Sequence, residues 1–260
     1  WVQKKEELVK EIKENSIQLH NLNKIKILSI WIFLIPIIVL NLCLFISNNY
    51  MLFENTIFIV DQLGRSSFTI PYLDGGVSIS RTARTYPAYL LFKPGMVITS
   101  FFLIKYWIEN NNLFKTIDNQ KKNYFFLYFG VTSGIFLIAH ALLLGVSYDY
   151  SLFKFFRRFV LMGFVIFEIA AQALLVINLF RIKNKISTLI NKKVLVLKII
   201  LVLVLSVVAL ASLPILTSSG HTQFKHALEW NYFVGVVSFY FLTFVFWKKN
   251  KTYVHTPEGA

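Results

Sequence analysis

Residues 27–47 read ILSIWIFLIPIIVLNLCLFIS, with no charged side chain and only Ser29, Asn41 and Ser47 as polar ones. About 20 predominantly apolar residues carry an α-helix across the roughly 30 Å hydrocarbon core of a bilayer. Lipid offers no partner to an unpaired N–H or C=O, so a crossing segment is either a helix or part of a closed barrel. Barrel strands alternate apolar and polar positions, and this stretch does not. It reads as a membrane helix.

Five further runs share this character, at 87–108, 124–147, 155–180, 194–216 and 226–247. The weakest is 87–108, which holds Lys93 and Pro94. The expected fold is therefore all-α, a polytopic membrane protein built as a bundle of six transmembrane helices with an amphipathic N-terminal segment. Its divisions are a basic, amphipathic segment at 1–26, a six-helix transmembrane domain at 27–247 with a long loop at 48–86, and a basic tail at 248–260. The composition agrees: 56% of the 260 residues are hydrophobic and 15% charged, where soluble domains carry about 25% charged residues. Cys43 is the one cysteine. It excludes an intramolecular disulfide and behaves as a small hydrophobe.

The net charge of +14 does not point to nucleic acid, because the basic residues sit in short loops beside apolar runs. Their distribution instead sets orientation, since Lys and Arg are retained on the cytoplasmic side. Seventeen fall on the side of the two termini, including Lys4, Lys24, Lys115, Lys185, Lys193 and Lys248. Seven fall opposite: Arg65, Arg81, Arg84, Lys154, Arg157, Arg158 and Lys225. Both termini are expected in the cytoplasm, and the loop at 48–86 on the other face. The segment WVQKKEELVKEIKENSIQLH places Val2, Val9 and Ile12 among charges, the pattern of an interfacial helix, a partner-binding helix or a solvated extension.

Ionisable side chains at membrane depth are costly and face the bundle interior or water. His140, Glu168, Gln172, Glu229 and Asn231 qualify, and they suggest a hydrogen-bonded network joining the third, fourth and sixth spans. Glu168 and Gln172 share a helix face at i,i+4, as do His226 and Glu229 at i,i+3. His140, Glu168, His226 and Glu229 are the candidates for catalysis, with imidazole suited to acid–base work near neutral pH. A metal would draw on His140, His221, His226 and Glu229, although their spacing matches no established ligand motif. No G-x-S-x-G, P-loop or C-x-x-C is present, and no lysine lies between Trp230 and Trp247 to hold retinal. Neither retinal nor a nucleotide is expected, and no cofactor is assigned.

The loop leading into the second span reads YLDGGVSISRTARTYPAYLLFKPGM over 72–96. Arg81 and Arg84, three residues apart, suit a lipid phosphate through forked hydrogen bonds. Ser80, Arg81, Arg84 and the snorkelling Lys93 are the lipid-binding candidates.

The order of features resembles a known superfamily. A first span is followed by a long loop carrying Ser78-Ile79-Ser80-Arg81-Thr82 and then Pro87; four more spans follow, the last opening HALEWNYFVGVVSFYFLTFVFW. This arrangement, over roughly 27–250, is similar to the six-span superfamily of damage-regulated autophagy modulators, the FGF-receptor-activating protein and GPI-anchor lipid-remodelling proteins. The lipid-remodelling branch has an acidic residue in helix three and a histidine in helix four, whereas here His140 and Glu168 stand exchanged. The resemblance implies a part in lipid or lipid-anchor maturation or in membrane organisation, with no catalysis implied for several members. The leading expectation is a protein that binds lipid headgroups at its extracytoplasmic face, accessory to such remodelling. The alternatives are a membrane hydrolase or acyltransferase with a His/Glu site, with or without a metal, a proton-coupled transporter, and a structural subunit partnered with other membrane chains.

Overall fold

The computed structural model describes residues 2–53, 56, 68–118, 123–145, 151–218 and 220–248, with the side chains of residues 2–20, 151, 154, 213, 216 and 217 outside that description. Its helices are α1 (Val2–Asn48), α2 (Ile79–Thr82), α3 (Ala88–Asp118), α4 (Phe125–Leu143), α5 (Ser151–Ile182), α6 (Lys192–Thr217) and α7 (Thr222–Phe246), with a 3₁₀ turn at Tyr50–Phe53. All but α2 contain a segment long and apolar enough to cross a membrane. Six spans are present, as the hydropathy requires.

Local chemistry sets where these helices begin and end. Asn191 caps α6 by accepting from the Lys193 amide at 3.1 Å, and Ser78 caps α2 by accepting from the Arg81 amide at 3.2 Å. Such caps satisfy amides that have no partner within the helix. The chain enters α7 through Gly220 (φ 91°) and His221 (φ 53°). This left-handed entry starts the helix at Thr222, earlier than the apolar run at 226, and so moves Glu229 from the first turn to about two turns in. At the other end of the chain α1 is one continuous helix. The N-terminal segment is thus helical in continuity with the first span. Whether its apolar stripe faces anything lies outside the described side chains.

The spans pack in chain order, α1 on α3, α3 on α4, α4 on α5, α5 on α6 and α6 on α7, and α7 returns to α1. The result is a closed ring of antiparallel helices. One end, the loop end, carries residues 68–87 and the start of α7; the opposite end carries the α3–α4 and α5–α6 connections. That terminal end is stitched by Asn191 N–H to Phe246 O (2.9 Å), Lys248 N–H to Leu189 O (2.9 Å) and Lys26 Nζ to Trp247 O (3.0 Å). Large apolar side chains such as Phe155, Ile166, Leu203 and Val207 point outward, which suits a lipid surround. Lipid gives no hydrophobic force between helices, so close packing and interhelical hydrogen bonds hold such a bundle. At Gly130 the indole of Trp107 occupies the space a Cβ would need, and α3 and α4 meet there.

Candidate functional site

The loop end is closed by the first turns of α7. Trp230 Nε1 donates to Val77 O at 2.9 Å, Asn231 Nδ2 to Tyr72 O at 2.7 Å, and His226 Nδ1 lies 3.0 Å from Gly75 O. The Glu229 carboxyl lies within electrostatic reach of the backbone amides of Ser80 and Ile79. Gly75 (φ 62°) lies so tightly on the backbone of Gln223 that no side chain fits. Within the loop, Asp74 accepts from Thr69 Oγ1 (2.5 Å), the Gly76 amide (2.8 Å) and the Ile70 amide (2.9 Å). These bonds hold its carboxyl below the ordinary carboxylate range. HALEWN is therefore a clasp for the loop.

Beneath the clasp lies a cavity of about 180 Å³ inside the ring. Its walls are almost wholly apolar, with Leu40, Phe92, Met96, Leu103, Leu161 and Phe164 among them. A cavity of similar size with Leu, Ile and Phe walls stays dry and takes an apolar guest. Polar groups reach it at two levels. Ser80, His140 and Glu229 line it toward the loop end, and Glu168 and Tyr240 line its deeper part. His140 is 7% exposed, and its Nδ1 has no hydrogen-bond partner.

Below the cavity a buried polar seam continues toward the terminal end. Glu168 accepts from Gln172 Nε2 (2.9 Å) and from the Tyr240 hydroxyl, and its Oε2 lies 2.7 Å from Ser133 Oγ. Tyr240 and Tyr106 meet edge to face with centroids 5.0 Å apart. The Tyr106 hydroxyl lies 3.3 Å from Thr243 Oγ1, which accepts from Lys198 Nζ at 2.7 Å. Lys198, with no exposed surface, also lies 3.9 Å from the centroid of Phe239. Among the described residues neither Glu168 nor Lys198 has an ion-pair partner.

A third cluster sits beside the loop-end wall. The Arg84 guanidinium is pulled below its ordinary value by burial first, then by the nearby charges of Arg157 and Arg81. Its buried Nε has no hydrogen-bond partner. Arg157, on α5, also acts electrostatically on His140, which ties the cluster to the cavity. Arg84 thus has two cationic neighbours at the loop end. Lys93 Nζ lies 5.4 Å from the ring of Tyr89, one residue past the cavity-lining Phe92.

The chain matches no protein-family model, and no curated protein or solved structure is significantly similar to it.

The expected network across α4, α5 and α7 exists, but Ser133 and Tyr240 supply the contacts to Glu168, while His140 and Glu229 sit higher on the cavity wall. The four metal candidates are not brought together. His221 is exposed at the start of α7 and His226 is tied to Gly75, and among the described residues no three His, Cys, Asp or Glu side chains gather as ligands. The clasp accounts for this in part, since it sets His226 against the backbone of Gly75. Lys198 was passed over in the sequence, although a charge inside the apolar run 194–216 was the available signal. Tyr106, Tyr240 and Thr243 gave no such signal, because nothing in their spacing marks them off from packing residues.

Proposed function

We propose that this integral membrane protein binds an anionic amphiphile at its loop end, with a phosphate held by Arg81, Arg84 and Arg157 and an apolar group in the cavity beneath. The single observation that carries the reading is the juxtaposition of the arginine rim, centred on the unpartnered Arg84 Nε, with an apolar cavity. A cationic rim above a greasy chamber is complementary to a lipid headgroup with its acyl chain, and forked guanidinium contacts suit phosphate. In this reading the termini face the cytoplasm and the arginines contact the extracytoplasmic leaflet, as the bias of basic residues favours. An accessory part in lipid or lipid-anchor remodelling, suggested by the family resemblance, belongs to the same proposal.

A second reading is favoured by His140, whose free Nδ1 lines the cavity in the position of a base for hydrolysis or acyl transfer. One experiment addresses both. The full chain and the Arg81→Ala/Arg84→Ala variant are purified from the same membranes, and their bound lipids are identified by mass spectrometry. The expected result is intact anionic lipid on the wild type and several-fold less on the variant. An unchanged lipid profile overturns headgroup binding, and recovery of cleaved lipid that disappears in His140→Ala favours turnover.

A further inference from the structure

The walls of the cavity are unequally covered. On α1, α3 and α4 every described lining residue is buried, Leu40, Met96 and His140 among them. Partial exposure is confined to Leu161, Phe164 and Val165 on α5, to Glu229, Tyr232 and Phe233 on α7, and to α2 above them. Deeper down the same two helices close on each other. Gln172 Nε2 donates to Val236 O at 3.3 Å and the Tyr240 hydroxyl to Glu168, and all four residues are buried.

The burial of α5 changes at that level. From Glu168 onward each turn has a buried face, with Ala171, Leu175 and Leu179 along it. Before Glu168 the buried residues among those described are Val160 and Gly163, and Gly163 lies against Phe136 of α4. Nor does α6 fill the space, since none of its described residues lines the cavity. It packs on α7, where Leu205 O accepts from the Tyr232 hydroxyl at 3.4 Å and the Leu205 side chain abuts Gly235. Beyond Leu205 it turns Val207 and Leu210 outward. The cavity is therefore a slot between α5 and α7, uncovered toward lipid, while the clasp covers it toward water through Trp230 and Asn231.

The dimensions of the slot suit one leaflet. Arg157 stands one turn before Leu161 at its top, and Glu168 at its floor lies eleven residues further on. That distance is about 16 Å at 1.5 Å per residue, near half of a hydrocarbon core roughly 30 Å thick. His140 lies three residues from the loop-end terminus of α4, buried and with Nδ1 unpartnered. A buried polar atom without a partner is costly. The ester or hydroxyl just below a lipid headgroup supplies one, the ester accepting from an imidazole N–H and the hydroxyl donating to a bare nitrogen.

We propose that the cavity is filled from the side: a lipid of the loop-end leaflet passes one acyl chain between α5 and α7, with its ester or hydroxyl level at His140. An apolar chamber takes an apolar guest, and the bilayer is the source that the slot faces. The proposal rests on the amphiphile reading for its occupant and makes no use of the arginine contacts.

The test places the full chain in phosphatidylcholine vesicles containing phosphatidic acid with a diazirine halfway along one acyl chain. Light expels dinitrogen, the carbene inserts into a neighbouring C–H bond, and peptide mass locates what the chain touches. Met96 and Leu103 on α3 are buried and line the cavity, whereas Leu203 and Val207 on α6 face outward. The expected result is adducts on both pairs. In Val165→Trp, which fills the slot, the adducts on Met96 and Leu103 should be lost, while those on Leu203 and Val207 persist and report that the variant stays in the bilayer. Wild-type labelling confined to the outward residues overturns the proposal, as does cavity labelling that persists in Val165→Trp. A diacylglycerol with the same chain separates the two readings. Cavity labelling equal to that by phosphatidic acid supports the slot and removes the phosphate site. No cavity labelling by either probe, beside anionic lipid that is lost in Arg81→Ala/Arg84→Ala, removes the slot and keeps the phosphate site.

Discussion

Asp74 shows how one residue organises the loop end. Its carboxylate gathers Thr69 and the amides of Ile70 and Gly76, an arrangement only the ionised form supports fully. Because its folded value lies below the ordinary one of about 3.9, the contribution is present at neutral pH and is lost as pH falls through the lowered folded value. Hydrogen exchange at the Ile70 and Gly76 amides should therefore stay slow from neutral pH to about pH 4 and accelerate below it, relative to intrinsic rates. Asp74→Ala should show fast exchange throughout; equal protection in that variant would contradict the role. The turn was legible in Asp74-Gly75-Gly76, but the three donors were not. Likewise His226 stood out in the sequence as chemistry, and the structure sets its Nδ1 3.0 Å from Gly75 O, because a loop must satisfy its amides and carbonyls somewhere.

At the scale of elements, the ring depends on places where helices approach closely. Gly130 on α4 faces the Trp107 indole on α3, about one turn below the Ser133–Glu168 contact. Gly130→Val should push the helices apart and cost about 1–3 kcal/mol, the usual penalty of overpacking. Thermal unfolding in detergent would register this as a lower midpoint, and an unchanged midpoint would show that Trp107 can swing aside. The existence of all six spans was readable from hydropathy, since each is a local property of composition, but α3 runs ten residues past the apolar run that ends at 108. The start of α7 was not readable, because Thr222–Lys225 are helical through capping geometry and docking against the loop and not through apolarity.

The whole molecule is a ring whose two ends differ, with the clasp and arginines at one and the stitched connections and basic segments at the other. If the basic end faces the cytoplasm, a cysteine at Thr222, which is exposed at the loop end, should react with an impermeant maleimide added outside intact cells. A cysteine at Asn184, exposed at the terminal end, should react only after permeabilisation. Cys43 is buried, so the unaltered chain provides a silent background. Labelling in the opposite order would invert the orientation and place the arginine rim in the cytoplasm.

The sequence by itself determined the medium, the number of spans and the helical class, because each follows from how one segment's backbone and side chains meet lipid. Only the tertiary structure decided which polar groups meet. Lys93, Lys105 and Lys198 all lie in apolar helices, yet Lys105 is exposed, Lys93 is half-buried and Lys198 is sealed inside. Their difference is the rotation of each helix about its axis, set by the neighbours it packs against around the ring. That same rotation brings Ser133, Glu168, Tyr240, Tyr106, Thr243 and Lys198 from five helices into one seam. Hydropathy averages over all faces of a helix and holds no record of it.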